Sequence, residues 1–345
     1  MRPQRLQQLI DRFASRRIAV IGDFFLDRYL DVDPVIAETS VETGKIAHQV
    51  AWVRNSPGAA GTVVNNLEAL GAGTLYAIGG TGDDGQAYDL RKQLGIRRCD
   101  TSGLLPFDSL MTPTYLKPRD QTDPSLAGEH SRYDTRNRRP TPPEVTQRIL
   151  EAVDAVLPKV DAVIIADQVE ESDFGIITTA MRDALSERAV RYREVLFWAD
   201  SRRNIRRFRN MHVKPNQFEA VGHTHPLPGE QIDFDRLDQA IVELRREIGG
   251  PVCITRGEQG SLVCDDQVGV VPGVHVSGPV DPTGAGDSFT AGAVLALSSD
   301  ATLPEAALVG SLVASITVGQ LATTSTATPG QLRAQLDLWR EQNGD

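Results

Sequence analysis

The chain has 345 residues, 46 acidic against 36 basic side chains, a formal charge of −10 and a hydrophobic fraction of 40 %. That is the composition of an ordinary soluble globular protein, long enough for one large α/β domain with a lid or for two domains of common size, and it excludes a small disulfide-stapled scaffold. The acidic balance argues against non-specific duplex binding, which takes a surplus of Lys and Arg, so no nucleic-acid partner is expected.

Residues 1 to 17, MRPQRLQQLIDRFASRR, read as an amphipathic helix with charges throughout and not as a signal peptide. RIAVIGDFFLDRYL, from residue 17, opens with a β-branched run and breaks at a glycine, as a buried parallel strand leading into a loop would. Residues 31–56 and 108–136 are polar, strand-like and poor in helical pattern, and are expected to pair as a small sheet outside the main one, a lid. Strands are expected at TLYAIGG, AVIIADQ, VLFWAD, PVCITRG and SLVCDD. Helical patterns lie between several of them, in TVVNNLEALGA, PEVTQRILEAVDAVLPKV and DRLDQAIVELRREIGG. Alternation of this kind predicts an α/β fold, a doubly wound and mainly parallel sheet flanked by helices, in a single domain over 1–345. HTHPLPGEQ at 223–231 reads as a surface loop, where an HxH without a third ligand is no metal site. Cys99, Cys253 and Cys264 cannot all pair within one chain and lack CxxC spacing, so buried reduced thiols and a cytoplasmic location are expected. Apolar runs such as AGAVLAL at 291–297 fall far short of a membrane span of about 18 residues, and no membrane partner is expected.

The chemistry concentrates in DPTGAGDSFTAGAVLAL, from Asp281. Gly284, Ala285 and Gly286 precede an apolar helix, so their backbone N–H groups can converge on an anion at its N-terminus. Asp287, at the junction, suits two roles: an N-cap, or a base that takes the proton from a hydroxyl attacking a bound phosphoryl group. The two are not exclusive.

These residues resemble the ribokinase-like (PfkB) family of carbohydrate kinases, whose signature reads close to DTxGAGD. GDFFLDRY from Gly22, PGAAGTVVNNLEALGA from Pro57, GGTGDDG from Gly79, KPNQFEA from Lys214 and TRGEQG from Thr255 agree with the family in order and spacing, across nearly the whole chain. GDFFLDRY and VGQLATTSTATP are most similar to the branch that phosphorylates a heptose 7-phosphate at its anomeric hydroxyl.

The resemblance implies an ATP-dependent kinase with Asp287 as base, Gly284 to Gly286 as anion hole, and Asp23 and Asp27 holding sugar hydroxyls. Gly58, Thr62, Asp167 and Arg202 would complete the substrate shell, the last in an arginine cluster, RRNIRRFR, suited to a sugar phosphate. Lys214, Asn216, Arg256, Gly257 and Thr283 would lie on the nucleotide side. Asn216 and Glu219, the family's NxxE, would organise Mg2+ through water. Asp281 and Thr283 match positions that in some relatives bind a monovalent cation such as K+. A homodimer through the lid is expected.

Two departures fall on the sugar side: the heptose kinases' PGGAAN is here Pro57 to Thr62, PGAAGT, and a lysine of their SDYAKG is here Glu170. A nucleoside or other small-alcohol kinase would share the phosphate side. A non-catalytic sugar or nucleotide sensor would tolerate the altered sugar shell but need no base. A NAD-dependent dehydrogenase would carry its Gly-rich fingerprint after the first strand, where this chain has GDFFLD.

Overall fold

The structure is a computed structural model, and it describes residues 1–123, 126–227, 229–321 and 325–344. In chain order its elements are α1 (Pro3–Phe13), β1 (Arg17–Gly22), β2 (Phe24–Thr39), β3 (Ile46–Ala59), α2 (Ala60–Ala69), β4 (Thr74–Thr81), α3 (Gly85–Ile96), β5 (Cys99–Pro106), β6 (Thr114–Asp120), β7 (Tyr133–Thr135), α4 (Pro143–Val156), β8 (Ala162–Asp167), α5 (Thr179–Arg191), β9 (Leu196–Ser201), β10 (His212–Val213), α6 (Gln217–Ala220), α7 (Phe234–Ile248), β11 (Val252–Thr255), β12 (Ser261–Cys264), β13 (Val268–Val271), α8 (Ala285–Leu297), α9 (Leu303–Thr317) and α10 (Pro329–Asn343).

Strand β1 shows why the main sheet is buried on both faces. Ile18 and Val20 point into one apolar layer with α1, α2, α8, α9 and α10, while Ala19 and Ile21 point into the other with α4, α5 and α7. A run apolar at every position is what a parallel strand between two helical layers requires. The sheet order is β13-β12-β11-β10-β9-β8-β1-β4-β5. Pairing is parallel from β10 and β11 across to β5, and antiparallel only at β12 and β13. Consecutive strands leave β1 toward β4 on one side and return as β8 on the other. The C-terminal ends of β1 and β8 therefore flank a topological switch point, where open α/β sheets bind ligands.

The small sheet has the order β3-β2-β6-β7. It contains segments from both 31–56 and 108–136, but β2 and β3 extend to Phe24 and Ala59, so the ribbon rises directly from the main sheet. No loop follows Gly22. Asp23 alone separates β1 from β2, because Gly22, at φ 147, turns the chain out of the sheet within one residue. β2 pairs antiparallel with β3 and parallel with β6.

At the N-terminus, Pro3 opens α1, whose Leu6, Leu9 and Phe13 are buried against the core. Among the described residues no helix is long and apolar enough to cross a membrane.

Candidate active site

Gly284, at φ 76, is the N-cap of α8, a backbone conformation that a side chain would strain. Asp287 is thus in the first turn and does not cap: its carboxylate accepts no hydrogen bond among the described residues. The N–H of Ala285 turns back to the Pro282 carbonyl at 3.1 Å. Of the expected anion hole, Gly284 and Gly286 remain available, and the Asp287 N–H joins them.

Beneath this turn lies a buried charge cluster. Lys214, which follows β10, places Nζ 3.0 Å from Asp200 Oδ2 at the end of β9, and a Cβ on Gly286 would stand 3.4 Å from that ammonium. Asp200 also accepts from Thr290 Oγ1 of α8 at 3.0 Å. Burial opposes the charge on Lys214, but Asp200, Glu219 and Asp287 outweigh it and hold its pKa above the ordinary lysine value. Asp287 is pushed up to about 7, first by desolvation and then by the Asp200 charge, against the pull of Lys214 and Arg202. A carboxyl so tuned can accept a proton at neutral pH.

On the sugar side the structure departs from several expectations. Asp23 is buried, and its two oxygens accept from the backbone N–H groups of Gln168 (3.0 Å) and Ile176 (2.6 Å), so it holds protein backbone where a sugar ligand was expected. Asp167 is also enclosed: Oδ2 accepts from Ser201 Oγ (2.7 Å) and Asn204 Nδ2 (3.3 Å) beside the buried Arg182. Desolvation and the neighbouring Asp23 charge raise its pKa to about 7. Both carboxylates are turned largely to protein donors; Asp167 Oδ1 accepts none among the described residues.

Asp27 pairs with neither Arg28 nor an arginine of the small sheet; Lys117 Nζ of β6 lies 3.3 Å from Oδ1, and Arg28 joins Asp89 instead. Burial raises the pKa of Asp27 in spite of Lys117. Gly58 gives that carboxylate room, since a Cβ there would stand 2.9 Å from Asp27 Oδ2. Thr62, on the first turn of α2, sets its methyl against Gly284, 3.3 Å from where a Cβ would project. At the replaced glycine of the PGGAAN pattern, Ala59 takes φ 53, ψ −118, costly for any residue with a side chain.

A cavity of about 50 Å³ opens beside these groups, between the main sheet and the small one, with Asp23, Phe25, Tyr115, Arg136, Glu170 and Arg202 in its wall. Arg202 Nε donates to Gln168 Oε1 at 2.9 Å, and its terminal nitrogens have no hydrogen-bond partner among the described residues. Three others of the run are engaged within the protein, Arg209 with the carbonyls of Arg206 and Phe208. Arg203 pairs with Glu170 at 2.6 Å and Arg206 with Glu247 at 2.7 Å.

The nucleotide-side candidates gather around β10, β11 and the approach to α8. Asn216 and Glu219 form a reciprocal capping box on α6: Asn216 Oδ1 accepts from Phe218 and Glu219 N–H, and Glu219 Oε2 accepts from Asn216 N–H at 2.7 Å. Glu219 Oε1 is left over, and desolvation lifts this carboxyl to about 7. Arg256 donates to Gln259 and stacks over Phe234, with Gly257 beside it at φ 58. Thr283 N–H closes a turn on Asp281 Oδ1 at 3.0 Å. His223 meets Glu230, and no group of three metal-binding side chains occurs among the described residues. All three cysteines are free and buried. Residues 322–324 of VGQLATTSTATP lie outside the described residues.

Sequence reasoning did not single out Lys117, Gln168 or Arg182; Asp200, which ends the expected strand VLFWAD, matches with Arg202 a DPK segment that the family carries near its active site. Lys117 and Gln168 have partners distant in sequence, Asp27 and Arg202, whereas Arg182 bonds Asp167, Ile177 and Thr179 nearby and lies in a helix with no motif of its own.

Unpaired N–H groups at a helix N-terminus, a near-neutral carboxylate among them and a buried ammonium below, all beside the switch point of a doubly wound sheet, define an enzyme of the kinase class. The pattern of the pfkB family carbohydrate kinases matches residues 15–329, and the chain belongs to that family. It is 28 % identical over 336 residues to the bifunctional protein HldE of Gluconacetobacter diazotrophicus, covering 94 % of this chain and 64 % of that protein. It is 26 % identical to HldE of Caulobacter vibrioides, covering 95 % and 65 %. The chain thus spans somewhat under two thirds of the length of these curated relatives. Among solved structures it resembles phosphofructokinase-2 of Escherichia coli (TM-score 0.67, 17 % identity, 94 % of this chain and 100 % of that one) and the ribokinase of Arabidopsis thaliana (0.64, 16 %, 93 % and 98 %), which establishes the ribokinase-like fold.

Proposed function

We propose that the protein transfers the γ-phosphoryl group of ATP to a hydroxyl of a sugar that already carries a phosphate, a heptose 7-phosphate being the first candidate. The observation that carries the reading is Asp287, raised to about 7 and free of hydrogen bonds beside the open N–H groups of Gly284 and Gly286. Asp287 takes the acceptor hydroxyl proton as the oxygen bonds to the γ-phosphorus, and the bond to the β-phosphate oxygen breaks to release ADP. The N–H groups and Lys214 stabilise charge on the transferring group without reorganising.

The spare oxygen of Glu219 suits a hydrated Mg2+, held through water near the capping box, and the ion would neutralise phosphate charge. Asp281 and Thr283 are the candidates for K+, and Arg256 and Gly257 for the nucleotide. Support for a phosphorylated acceptor comes from Arg202, whose terminal nitrogens are unengaged in the cavity wall; Glu170, the reversed charge, is neutralised by Arg203. The small sheet acts as a lid over the sugar and as the face of a homodimer, and reduced buried thiols suit a cytoplasmic enzyme.

The test is ADP release from Mg-ATP across free sugars, sugar phosphates and nucleosides, with Asp287→Asn as control. Turnover on a phosphorylated sugar that drops by about 10³-fold or more in the variant, with ATP affinity unchanged, is expected. Turnover confined to nucleosides or free sugars would overturn the acceptor assignment. Normal turnover in the variant would remove Asp287 from the mechanism.

A further inference from the structure

The segment between β8 and α5 supplies much of the cavity wall through residues 168–171 and 174–176. A wall of that kind, without regular structure, must be held by something. On its outer side Thr141 does so: Thr141 N–H donates to the Asp173 carbonyl at 2.7 Å, and its hydroxyl donates to the Gly175 carbonyl at 2.8 Å. On its inner side the holder is Asp23. Its carboxylate receives the N–H groups of Gln168 and Ile176, from both ends of the segment. Gly175 lets the segment close on it, since a Cβ there would stand 2.8 Å from Asp23 Oδ1 and 2.8 Å from Val169 Cβ. The Asp23 main chain is itself pinned between β8 and α2, donating to Ala166 O at 3.2 Å and accepting from Ala60 N–H at 3.1 Å.

Gln168 carries the consequence to the cavity. Its backbone is fixed by Asp23, and its side-chain oxygen takes the Nε–H of Arg202 at 2.9 Å. A guanidinium held at Nε presents its two terminal NH2 groups as a fork, the geometry that matches a phosphate.

We propose that Asp23 is a positioning residue that folds residues 168–176 into the acceptor wall, and that Gln168 relays this order to Arg202 and so determines selection of an anionic acceptor. The selection half rests on the sugar-phosphate reading above; the folding half does not.

Hydrogen–deuterium exchange of the full chain separates them. Asp23→Asn keeps the size but turns an NH2 toward backbone donors, and amide exchange across 168–176 should rise at least tenfold while α8 is unchanged. Gly175→Ala, which leaves Asp23 in place, should do the same and serves if Asp23→Asn does not fold. Gln168→Ala should leave segment exchange as in the wild type. It should raise the KM for a phosphorylated acceptor, with fructose 6-phosphate and heptose 7-phosphate as probes, about tenfold, while the KM for ATP stays within twofold. Unchanged exchange in both Asp23→Asn and Gly175→Ala overturns the positioning role. An unchanged acceptor KM in Gln168→Ala overturns the relay. Absence of turnover on every acceptor defeats the kinase-acceptor reading and leaves exchange to decide the role of Asp23.

Discussion

Asp287 illustrates how far single residues could be read. Its motif named it as cap or base, and the tertiary structure separates the two by making Gly284 the cap and surrounding Asp287 with Asp200, Lys214 and Arg202. The pH dependence follows in sign. A base works deprotonated, so with its pKa pushed up to about 7, kcat/KM should fall tenfold per pH unit below about 7 and level off above it. An acid limb centred near pH 4 in the ADP-release assay would show that burial does not tune this carboxyl. Asp23 and Asp167 teach the opposite lesson. Carboxylates at strand ends beside a binding crevice look like ligands in a sequence, but Asp23 accepts from backbone N–H groups and Asp167 Oδ2 from Arg182, Ser201 and Asn204, donors that lie 15 to 153 residues away.

At the scale of elements, periodicity identified most strands and helices, because a two-residue or 3.6-residue repeat is local information. It failed at Gly22, where one residue, not a loop, joins β1 to β2. It was also silent on how α8 meets α9. That contact is close: a Cβ on Gly310 would stand 2.8 Å from the Phe289 carbonyl oxygen and 3.0 Å from its ring. Gly310→Ala is therefore expected to force the helices apart and lower unfolding free energy by about 1–3 kcal/mol in urea titration. Since Phe289 lies two residues beyond Asp287, kcat should fall as well. A loss below about 0.5 kcal/mol would mean that α9 can yield without moving α8.

For the whole molecule, the small sheet leaves Val35, Ile36, Ile46, Val50, Trp52 and Val53 exposed on its β2–β3 ribbon, Trp52 at 72 %. Apolar side chains in this number on an edge ribbon favour a partner, and the proposed occupant is the same ribbon of a second copy. Sedimentation velocity should show a dimer that Trp52→Glu converts to monomer without lowering thermal stability; a wild-type monomer at assay concentration would discard the lid dimer. The amino-acid sequence by itself determined the alternating strands and helices, the glycine-rich turn before α8 and the carboxylate beside it, because each depends on residues adjacent along the chain. Only the tertiary structure decided strand order, the switch point at β1 and β8, the pairing of Asp27 with Lys117, and the use of Asp23 as an anchor. Those depend on which distant segments share a sheet edge, and no local pattern encodes that: it follows from the packing of the whole chain around two apolar layers.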